Sequence, residues 1–410
     1  MFLLNKNLNL IITISVLIFS TQFFQSTIFE VLFFKVQVVF FIFILFFLFY
    51  YFISLLLGNK RANKIIIYYL FIIILVPLYS AFRANISFGQ PLLFGILSAR
   101  SWILCGVGIW FFHVLTQQKI SFKSVESAFI IMAWLSLVLY SAYNFMGTNT
   151  ETSFFNSIGA TDQYRGVRFR FQNYFITFGT IFYFIKYNIN KNYKYLLYSL
   201  MFIAFTLFII QGRIYTIILF MTFLTYYLLE IPNKRKVIKF INFGLFIVLT
   251  LFTIQSLVPS YFNKISDLYS QMFHVLTGVE SNDYAANARI FSSYIVFDYW
   301  DSNPSSFWFG TGRISNQWNE GYNSLFGYFF PSDIGALGGL FLFGIFGSIF
   351  LFIIPILFSI NIIRKLNPGK YIFILSMKYI LIFSLFRAIQ GSYHFKVVEY
   401  LIPMFLLLSF

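Results

Sequence analysis

Long apolar runs recur along the whole chain, and most approach the roughly 20 residues that a helix needs to cross a bilayer. The runs are continuous and do not alternate with polar residues, so they predict helices and not the strands of a membrane barrel. We predict twelve spans, at residues 8–24, 31–57, 65–82, 91–115, 126–146, 172–187, 195–211, 213–230, 240–258, 333–358, 371–388 and 395–410. One long polar insert, residues 259–332, separates the ninth span from the tenth.

The composition agrees with a membrane protein. The chain has 410 residues, of which 59% are hydrophobic and 10% are charged, against about 25% charged residues in soluble domains. The first apolar run follows Lys6 and lacks an Ala-x-Ala cleavage site, so it predicts a span and not a removed signal peptide. A lone cysteine, Cys105, excludes an intrachain disulfide.

The net charge of +16 reports orientation and does not point to nucleic acid. Alternate loops hold most of the lysines, which the positive-inside rule assigns to the cytoplasm together with both termini. The insert and a second loop, residues 147–171, then lie outside. The cytoplasmic set is Lys6, Lys60, Arg61, Lys64, Lys119, Lys123, Lys186, Lys191, Lys194, Lys234, Arg235, Lys236, Lys239, Arg364, Lys365 and Lys370.

The remaining arginines lie on the outer side or within spans, against the gradient that the positive-inside rule describes. Arginine binds phosphate through two parallel hydrogen bonds and stays charged, so this segregation predicts an anionic ligand near the outer leaflet. One of them, Arg100, is expected to be buried in the fourth span and to pair structurally with a carboxylate. The set is Arg83, Arg100, Arg165, Arg168, Arg170, Arg213, Arg289, Arg313 and Arg387.

Within the insert, residues 284–300 predict a helix that presents Arg289, Ser293, Val296 and Trp300 on one face. That face either holds a phosphate on Arg289 and a sugar ring on Trp300, or belongs to an amphipathic helix lying on the membrane. The stretch 309–313 contains Gly-Thr-Gly, which either offers backbone N–H groups to an anion or forms an ordinary turn.

Asp333 begins the tenth span and has two interpretations. It either complements the dipole of the helix or acts as a general base at the mouth of a membrane cavity, where desolvation strengthens a base. Glu320 and Asp301 are the fallback carboxylates. The three histidines, His113, His274 and His394, have no metal-ligand spacing.

Several of these motifs resemble the superfamily of Wzy O-antigen polymerases and O-antigen ligases. Arg289-x-x-x-x-Tyr294, continuing through Trp300 and Pro304 to Gly310-x-Gly312, is similar to the large periplasmic loop of that superfamily. So is the glycine-rich span from Ser332-Asp-Ile-Gly335 to Gly344-x-x-Gly347, and the turn Gln211-Gly-Arg213 is similar to its Ser-Arg span start. Arg168 and Gly179 fit an Arg-x10-Gly pattern, whose second copy is absent.

The resemblance implies an all-α polytopic membrane glycosyltransferase, GT-C-like, with about 12 transmembrane helices and one large extracytoplasmic loop. Its parts would be residues 1–258, the loop 259–332 and the last three spans, 333–410. Superfamily ligases carry His-Asn where this chain has Ser332-Asp333, which favours a polymerase of O-antigen, capsule or exopolysaccharide units. The alternatives are an O-antigen ligase acting on lipid A or protein, and a flippase of lipid-linked oligosaccharide.

As a polymerase, the chain would lie in the bacterial inner membrane and join oligosaccharide repeat units carried on undecaprenyl pyrophosphate, with inversion and without a metal or other cofactor. Further partners implied are membrane lipid, a chain-length regulator and a flippase. The catalytic candidates are Asp333, Arg289, Glu320 and Asp301. The pyrophosphate candidates are Arg165, Arg168, Arg170, Arg213, Arg313 and Arg387, and the sugar-stacking candidates are Trp300, Trp308 and Trp318.

Overall fold

A computed structural model describes residues 6–21, 23–24, 29–58, 63–149, 160–162, 166–168, 171–210, 212–230, 255–256, 259, 263, 266–267, 284–366, 369, 371–389 and 397–410. Within these residues the chain is a helical membrane protein whose one sheet is a short antiparallel hairpin. The hairpin pairs β1 (Ala160–Asp162) with β2 (Gly166–Arg168), in the predicted outer loop.

The described residues of the first half of the chain form eight helices and two irregular segments. A 3-10 segment, Arg100–Leu104, joins α4 to α5, and a π-helical segment, Thr206–Ile210, follows α8. The helices are α1 (Lys6–Ser20), α2 (Glu30–Leu56), α3 (Lys64–Phe88), α4 (Leu92–Ser98), α5 (Cys105–Thr116), α6 (Phe122–Asn149), α7 (Tyr174–Asn190) and α8 (Tyr193–Phe205).

The second half continues with α9, then the helices of the insert and the helices that follow it. The helices are α9 (Arg213–Glu230), α10 (Tyr284–Ser302), α11 (Pro304–Phe309), α12 (Asn323–Phe326), α13 (Gly335–Ser348), α14 (Ile354–Lys365), α15 (Ile372–Ala388) and α16 (Val398–Ser409). A 3-10 turn, Pro331–Ile334, precedes α13, and a π-helical segment, Ile349–Ile353, joins α13 to α14.

Six helical stretches in the described part of the chain are long and apolar enough to cross a membrane. They are Lys35–Leu56, Lys64–Phe88, Leu92–Thr116, Phe122–Phe145, Tyr193–Ile210 and Pro331–Lys365. Shorter apolar helices cover Asn7–Ser20, Ile214–Glu230 and Glu399–Ser409. Helices occupy the positions of the other predicted spans, while the ninth, 240–258, lies outside the described residues apart from 255–256.

Local sequence explains several helix ends. The side chain of Asn63 accepts a hydrogen bond from the backbone N–H of Ile65 at 2.9 Å, which caps the start of α3. The same helix ends at Gly89, whose φ of 75° is a left-handed conformation that glycine adopts without strain. Asn192 caps α8 in the same way as Asn63 caps α3.

The fourth predicted span, 91–115, coincides with the helical stretch Leu92–Thr116, which consists of α4, the 3-10 segment and α5. The prediction that Arg100 is buried within this span is wrong. Arg100 stands at the start of that 3-10 segment and is exposed, so it is not a buried structural charge. The break lets its side chain leave the helix stack, which avoids the cost of an arginine in an apolar interior.

The centre of the molecule is built from α7, α15 and α16, whose side chains are buried over most of their length. Helix α15 contacts both α7 and α16, while α5 covers the other side of α16. Tyr400 on α16 illustrates the tight fit: its hydroxyl is fully buried and donates to the carbonyl of Pro355 at 2.9 Å. The insert packs on α3 and α13.

Candidate functional site

An open cleft of about 290 Å³ lies where the insert meets the apolar helices. Helix α10 of the insert and the 3-10 turn before α13 supply most of the lining, and the ends of α9 and α15 close it. The walls are mainly isoleucine (Ile214, Ile290, Ile334 and Ile389), and the polar side chains are Arg289, Ser293 and Asp333. The cleft therefore combines a largely apolar surface with one cation and one carboxylate.

Arg289 is the cation of this cleft. It lies on α10 one helical turn before Ser293, whose hydroxyl donates to the backbone carbonyl of Arg289 at 2.9 Å. The guanidinium is exposed, and within the described part of the chain no carboxylate lies within salt-bridge distance of it. An exposed, uncompensated guanidinium facing an apolar cleft is suited to an anionic ligand.

Asp333 is the carboxylate of the cleft and lies in the 3-10 turn that leads into α13. Its side chain is exposed and accepts a hydrogen bond from the hydroxyl of Ser332 at 3.3 Å. It stands both at the start of a helix, where a negative charge is favoured, and within the cleft that contains Arg289.

The chain holds the two charged residues in place through backbone contacts between elements. The N–H of Ala336, at the start of α13, donates to the carbonyl of Ile389 at the end of α15, at 3.3 Å. Val296, two turns after Arg289 on α10, is fully buried and anchors that helix. The position of Asp333 is thus tied to α15 and that of Arg289 to the core under α10.

The glycine-containing stretch of the insert has a structural role. Residues 308–315, here called the wedge segment, run between α3 and α13, and α13 is interrupted at Gly344 where they meet. The N–H groups of Thr311 and Gly312 donate to the carbonyls of Phe341 and Leu342, each at 2.9 Å. A β-carbon on Gly310 would lie 2.3 Å from the carbonyl oxygen of Leu342, so only glycine allows this approach.

The other N–H groups of the wedge segment are also engaged. Arg313 donates to the Ser80 hydroxyl at 3.0 Å, Ile314 to the Tyr322 hydroxyl at 3.2 Å, and Ser315 to the Gln90 side chain at 2.7 Å. The N–H of Gly310 donates to Ser306 at 2.8 Å. The stretch therefore has no backbone donor from Gly310 to Ser315 left for an anion, and the anion-binding interpretation of Gly-Thr-Gly is wrong.

Two arginines of the predicted outer set, Arg83 and Arg313, take part in this packing. Arg83 on α3 donates from Nε to the carbonyl of Gly310 at 2.9 Å, and its guanidinium lies 5.8 Å from the ring centre of Phe309. Arg313 is half-buried in the wedge segment, with its backbone bonded to α3. Neither residue lines the cleft.

The tryptophans predicted to stack on sugars differ in accessibility. Trp300 is only 8% exposed and packs edge-on against Phe297 and Phe307, so it has no open ring face. Trp318 is half-buried. Trp308 is 47% exposed and contacts Phe346 of α13. The cleft lining includes none of the three.

The fallback carboxylates are also remote from the cleft lining. Asp301 is exposed in the last turn of α10, and Glu320 is exposed in a turn where its φ is 57°. Both remain accessible to solvent, and the structure gives neither a contact with Arg289.

Arg387 is already neutralised. Its Nη1 donates to a carboxylate oxygen of Glu399 at the start of α16, and the Glu399 side chain is 13% exposed. Glu399 was not among the predicted site residues, although an acidic residue at the start of an apolar run is a sequence signal for such a pair. The pairing leaves Arg387 less suited to a phosphate than Arg289.

A second, partly buried ion pair was also not predicted. Lys378, in the middle of α15, donates to Glu230 of α9 at 2.7 Å, and the Tyr379 hydroxyl donates to the same oxygen at 3.0 Å. A lysine within an apolar run is the sequence signal for such a pair. Lys378 and Arg387 thus both lie on α15, each with a carboxylate from another helix.

The remaining pyrophosphate candidates are only partly described. Arg165 and Arg170 lie outside the described residues, and Arg168 is described only as the last residue of β2, paired with Ala160. Arg213 begins α9, and the next residue, Ile214, lines the cleft. The backbone therefore brings Arg213 close to the rim of the cleft.

Neither metal-site geometry nor similarity to known proteins narrows the chemistry further. Within the described ranges, no three His, Cys, Asp or Glu side chains come together as a metal site would require. Comparison of the chain with protein-family models, curated proteins and solved structures finds no match.

Proposed function

We propose that this chain is a Wzy-type polysaccharide polymerase that joins oligosaccharide repeat units carried on undecaprenyl pyrophosphate. The observation that carries the proposal is the shared cleft: Arg289 and Asp333, 44 positions apart in the sequence, line one open and mainly isoleucine-walled cavity beside apolar helices. A lipid diphosphate consists of an anion joined to an isoprenoid chain. In this lining Arg289 can bind the anion, and the isoleucine side chains can contact the isoprenoid chain.

The reaction needs a general base and a group that stabilises negative charge on the leaving diphosphate, and the cleft supplies one residue for each role. The oxygen of an acceptor hydroxyl forms a bond to the anomeric carbon of the donor, and the bond from that carbon to the diphosphate breaks with inversion. The hydroxyl proton passes to the Asp333 carboxylate. The electron pair leaves with the lipid diphosphate, whose developing charge Arg289 stabilises.

The wider setting belongs to the same proposal. The chain would cross the bacterial inner membrane about twelve times, with both termini in the cytoplasm and with the insert and the 147–171 loop outside. Arg213 would assist Arg289 from the rim, and Arg165, Arg168 and Arg170 would reach the diphosphate from the second loop. The position of Ile214 in the cleft lining supports the first of these roles.

The test is reconstitution of the purified chain with a defined repeat unit on undecaprenyl pyrophosphate. We expect a ladder of products spaced by one repeat unit, and we expect Arg289→Ala and Asp333→Asn to remove the ladder while the protein keeps its elution profile. Asp301→Asn is the matched control, because Asp301 is exposed on the same helix as Arg289 but outside the cleft.

Other results would point elsewhere. A ladder of wild-type length from Arg289→Ala would refute the assignment of the cleft. Products that form only after lipid A or a protein acceptor is added would indicate a ligase. Movement of the labelled lipid across the bilayer, with no new glycosidic bond, would indicate a flippase.

A further inference from the structure

The wedge segment lies well below the ends of the helices that flank it. It bonds to Ser80 of α3, which is eight residues, about 12 Å, before the end of that helix at Phe88. On the other side it bonds to Leu342 of α13, which is seven residues, about 10 Å, after that helix begins. Both flanking helices belong to stretches that are apolar and long enough to span a membrane. Measured from the end of either helix, the wedge segment lies at a similar depth.

The backbone of the wedge segment meets the condition for entering a bilayer. Irregular chain is tolerated at membrane depth only where its polar groups are satisfied within the protein. The N–H groups from Gly310 to Ser315 all have protein acceptors, and the carbonyls of Gly310 and Gly312 accept from Arg83 and Tyr322. The segment does not depend on water for these bonds.

The side chains next to the wedge segment form an exposed aromatic surface. Trp308 is 47% exposed and Phe309 is 46% exposed, and both rings contact Phe346 of α13, which is 48% exposed. The surface continues along the same stretch into Phe350 and Ile353, which are also exposed. It is therefore continuous with the apolar outer surface of a candidate span.

The polar atoms around this surface are arranged as at a membrane interface. The Tyr79 hydroxyl donates to the carbonyl of Phe309, and Arg83 reaches Gly310 from the same helix. Tryptophan, tyrosine and arginine side chains collect where hydrocarbon meets headgroups, since each has an apolar body and a polar end. A soluble loop domain has no reason to leave Trp308 and Phe309 open beside a lipid-facing helix.

We infer that helix α11 and the wedge segment are embedded in the outer part of the leaflet on which the insert lies, with Trp308 and Phe309 in contact with acyl chains. The insert is then not a lid held above the membrane but a unit that enters it between α3 and α13. Trp308 thereby serves as a lipid anchor and not as a platform for a sugar ring. This inference does not depend on the enzymatic proposal.

Fluorescence from a single tryptophan tests the inference directly. The other five tryptophans are replaced by phenylalanine, and the full chain is reconstituted in phosphatidylcholine vesicles whose acyl chains carry bromine at carbons 6 and 7 or at carbons 11 and 12. We expect the shallow bromines to quench Trp308 at least twofold more than the deep ones, while aqueous iodide quenches it weakly. A chain that keeps only Trp300, which is buried, is the control and should respond to neither quencher.

A second measurement covers the case in which tryptophan removal impairs folding. Cys105 is the only cysteine, so Cys105→Ser followed by Trp308→Cys gives one site for a spin label. We expect collisions with oxygen to exceed those with a water-soluble nickel complex at residue 308. Asp301→Cys, which replaces an exposed carboxylate seven residues earlier, should show the opposite preference.

Three outcomes would overturn the inference. They are quenching of Trp308 by iodide without quenching by brominated lipid, resistance of Trp308 to both quenchers, and a nickel preference at residue 308 equal to that at residue 301. The first would place the surface in water, and the second would show that protein covers it.

Discussion

The two halves of the insert use similar residues for opposite purposes. Helix α10 buries Trp300 near its C-terminal end but presents Arg289, exposed, to the cleft. The wedge segment also carries an arginine and two glycines, yet its backbone N–H groups from Gly310 to Ser315 all donate to α3, α13 or neighbouring residues. An arginine or a Gly-x-Gly stretch therefore indicates a binding site only where its hydrogen-bonding groups remain available.

The comparison also distinguishes substitutions that should lower stability from substitutions that should lower activity. Substitutions in the wedge segment should lower stability, because they break contacts between elements. Substitutions in the cleft should lower activity at unchanged stability, because the groups there are exposed and lie outside the packed core.

The largest expected effect is that of Gly310→Ala. Its β-carbon would meet the backbone of Leu342 and Gly344 at 2.3 and 2.5 Å, so we expect a loss of more than about 4 kcal/mol and little folded protein after solubilisation. Gly327→Ala is the matched control: φ is 70° there against 72° at Gly310, but no atom lies within 4 Å. Equal thermal unfolding midpoints for the two variants would disprove the close packing.

Arg289→Ala should come next in size and should change activity alone. Removal of one group that stabilises developing negative charge lowers the rate by about 10²- to 10³-fold. Arg289→Lys should recover only part of it, since lysine cannot make the paired contact with phosphate. Initial rates of ladder formation provide the measurement, and an unfolding midpoint lowered as far as that of Gly310→Ala would contradict a purely functional role.

Gln90→Leu should have a moderate effect on stability. Gln90 is fully buried and bridges the wedge segment, accepting from the N–H of Ser315 at 2.7 Å and donating to the carbonyl of Arg313 at 3.2 Å. Loss of the acceptor leaves a buried N–H unpaired, which costs about 1–3 kcal/mol. A thermal unfolding scan of the detergent-solubilised variant should show the decrease, and an unchanged midpoint would show that water replaces the side chain.

Glu320→Gln should have the smallest effect. Glu320 is exposed and does not line the cleft, so the change in stability should stay within about 0.5 kcal/mol and the rate should be that of the wild type. A rate loss comparable to that of Asp333→Asn would move the general base from the cleft to the 316–321 turn.

The sequence predicts the helices well, because span length and apolar composition are local properties. Helix α10 runs over Tyr284–Ser302 against a predicted 284–300, and α15 runs over Ile372–Ala388 against 371–388. The interruption near Arg100 was not predicted, since an apolar run does not reveal where a helix changes to a tighter turn.

The site is predicted less completely. Arg289 and Asp333 were both identified, but nothing local shows that they line one cavity or that isoleucines from α9 and α15 complete it. The packing of the wedge segment between α3 and α13 was not predicted, for a related reason. Gly310 and Gly344 require glycine because each faces the backbone of the other's segment, and that contact exists only in the folded chain.

The ion pairs on α15 have a consequence for how the chain is made. Lys378 pairs with Glu230 of α9, which the ribosome synthesises earlier, whereas Arg387 pairs with Glu399 of α16, which emerges later. A nascent chain that has been synthesised only through α15 holds Arg387 without its carboxylate partner. The neutralisation of Arg387 therefore waits for the synthesis of α16, whereas the partner of Lys378 is already present.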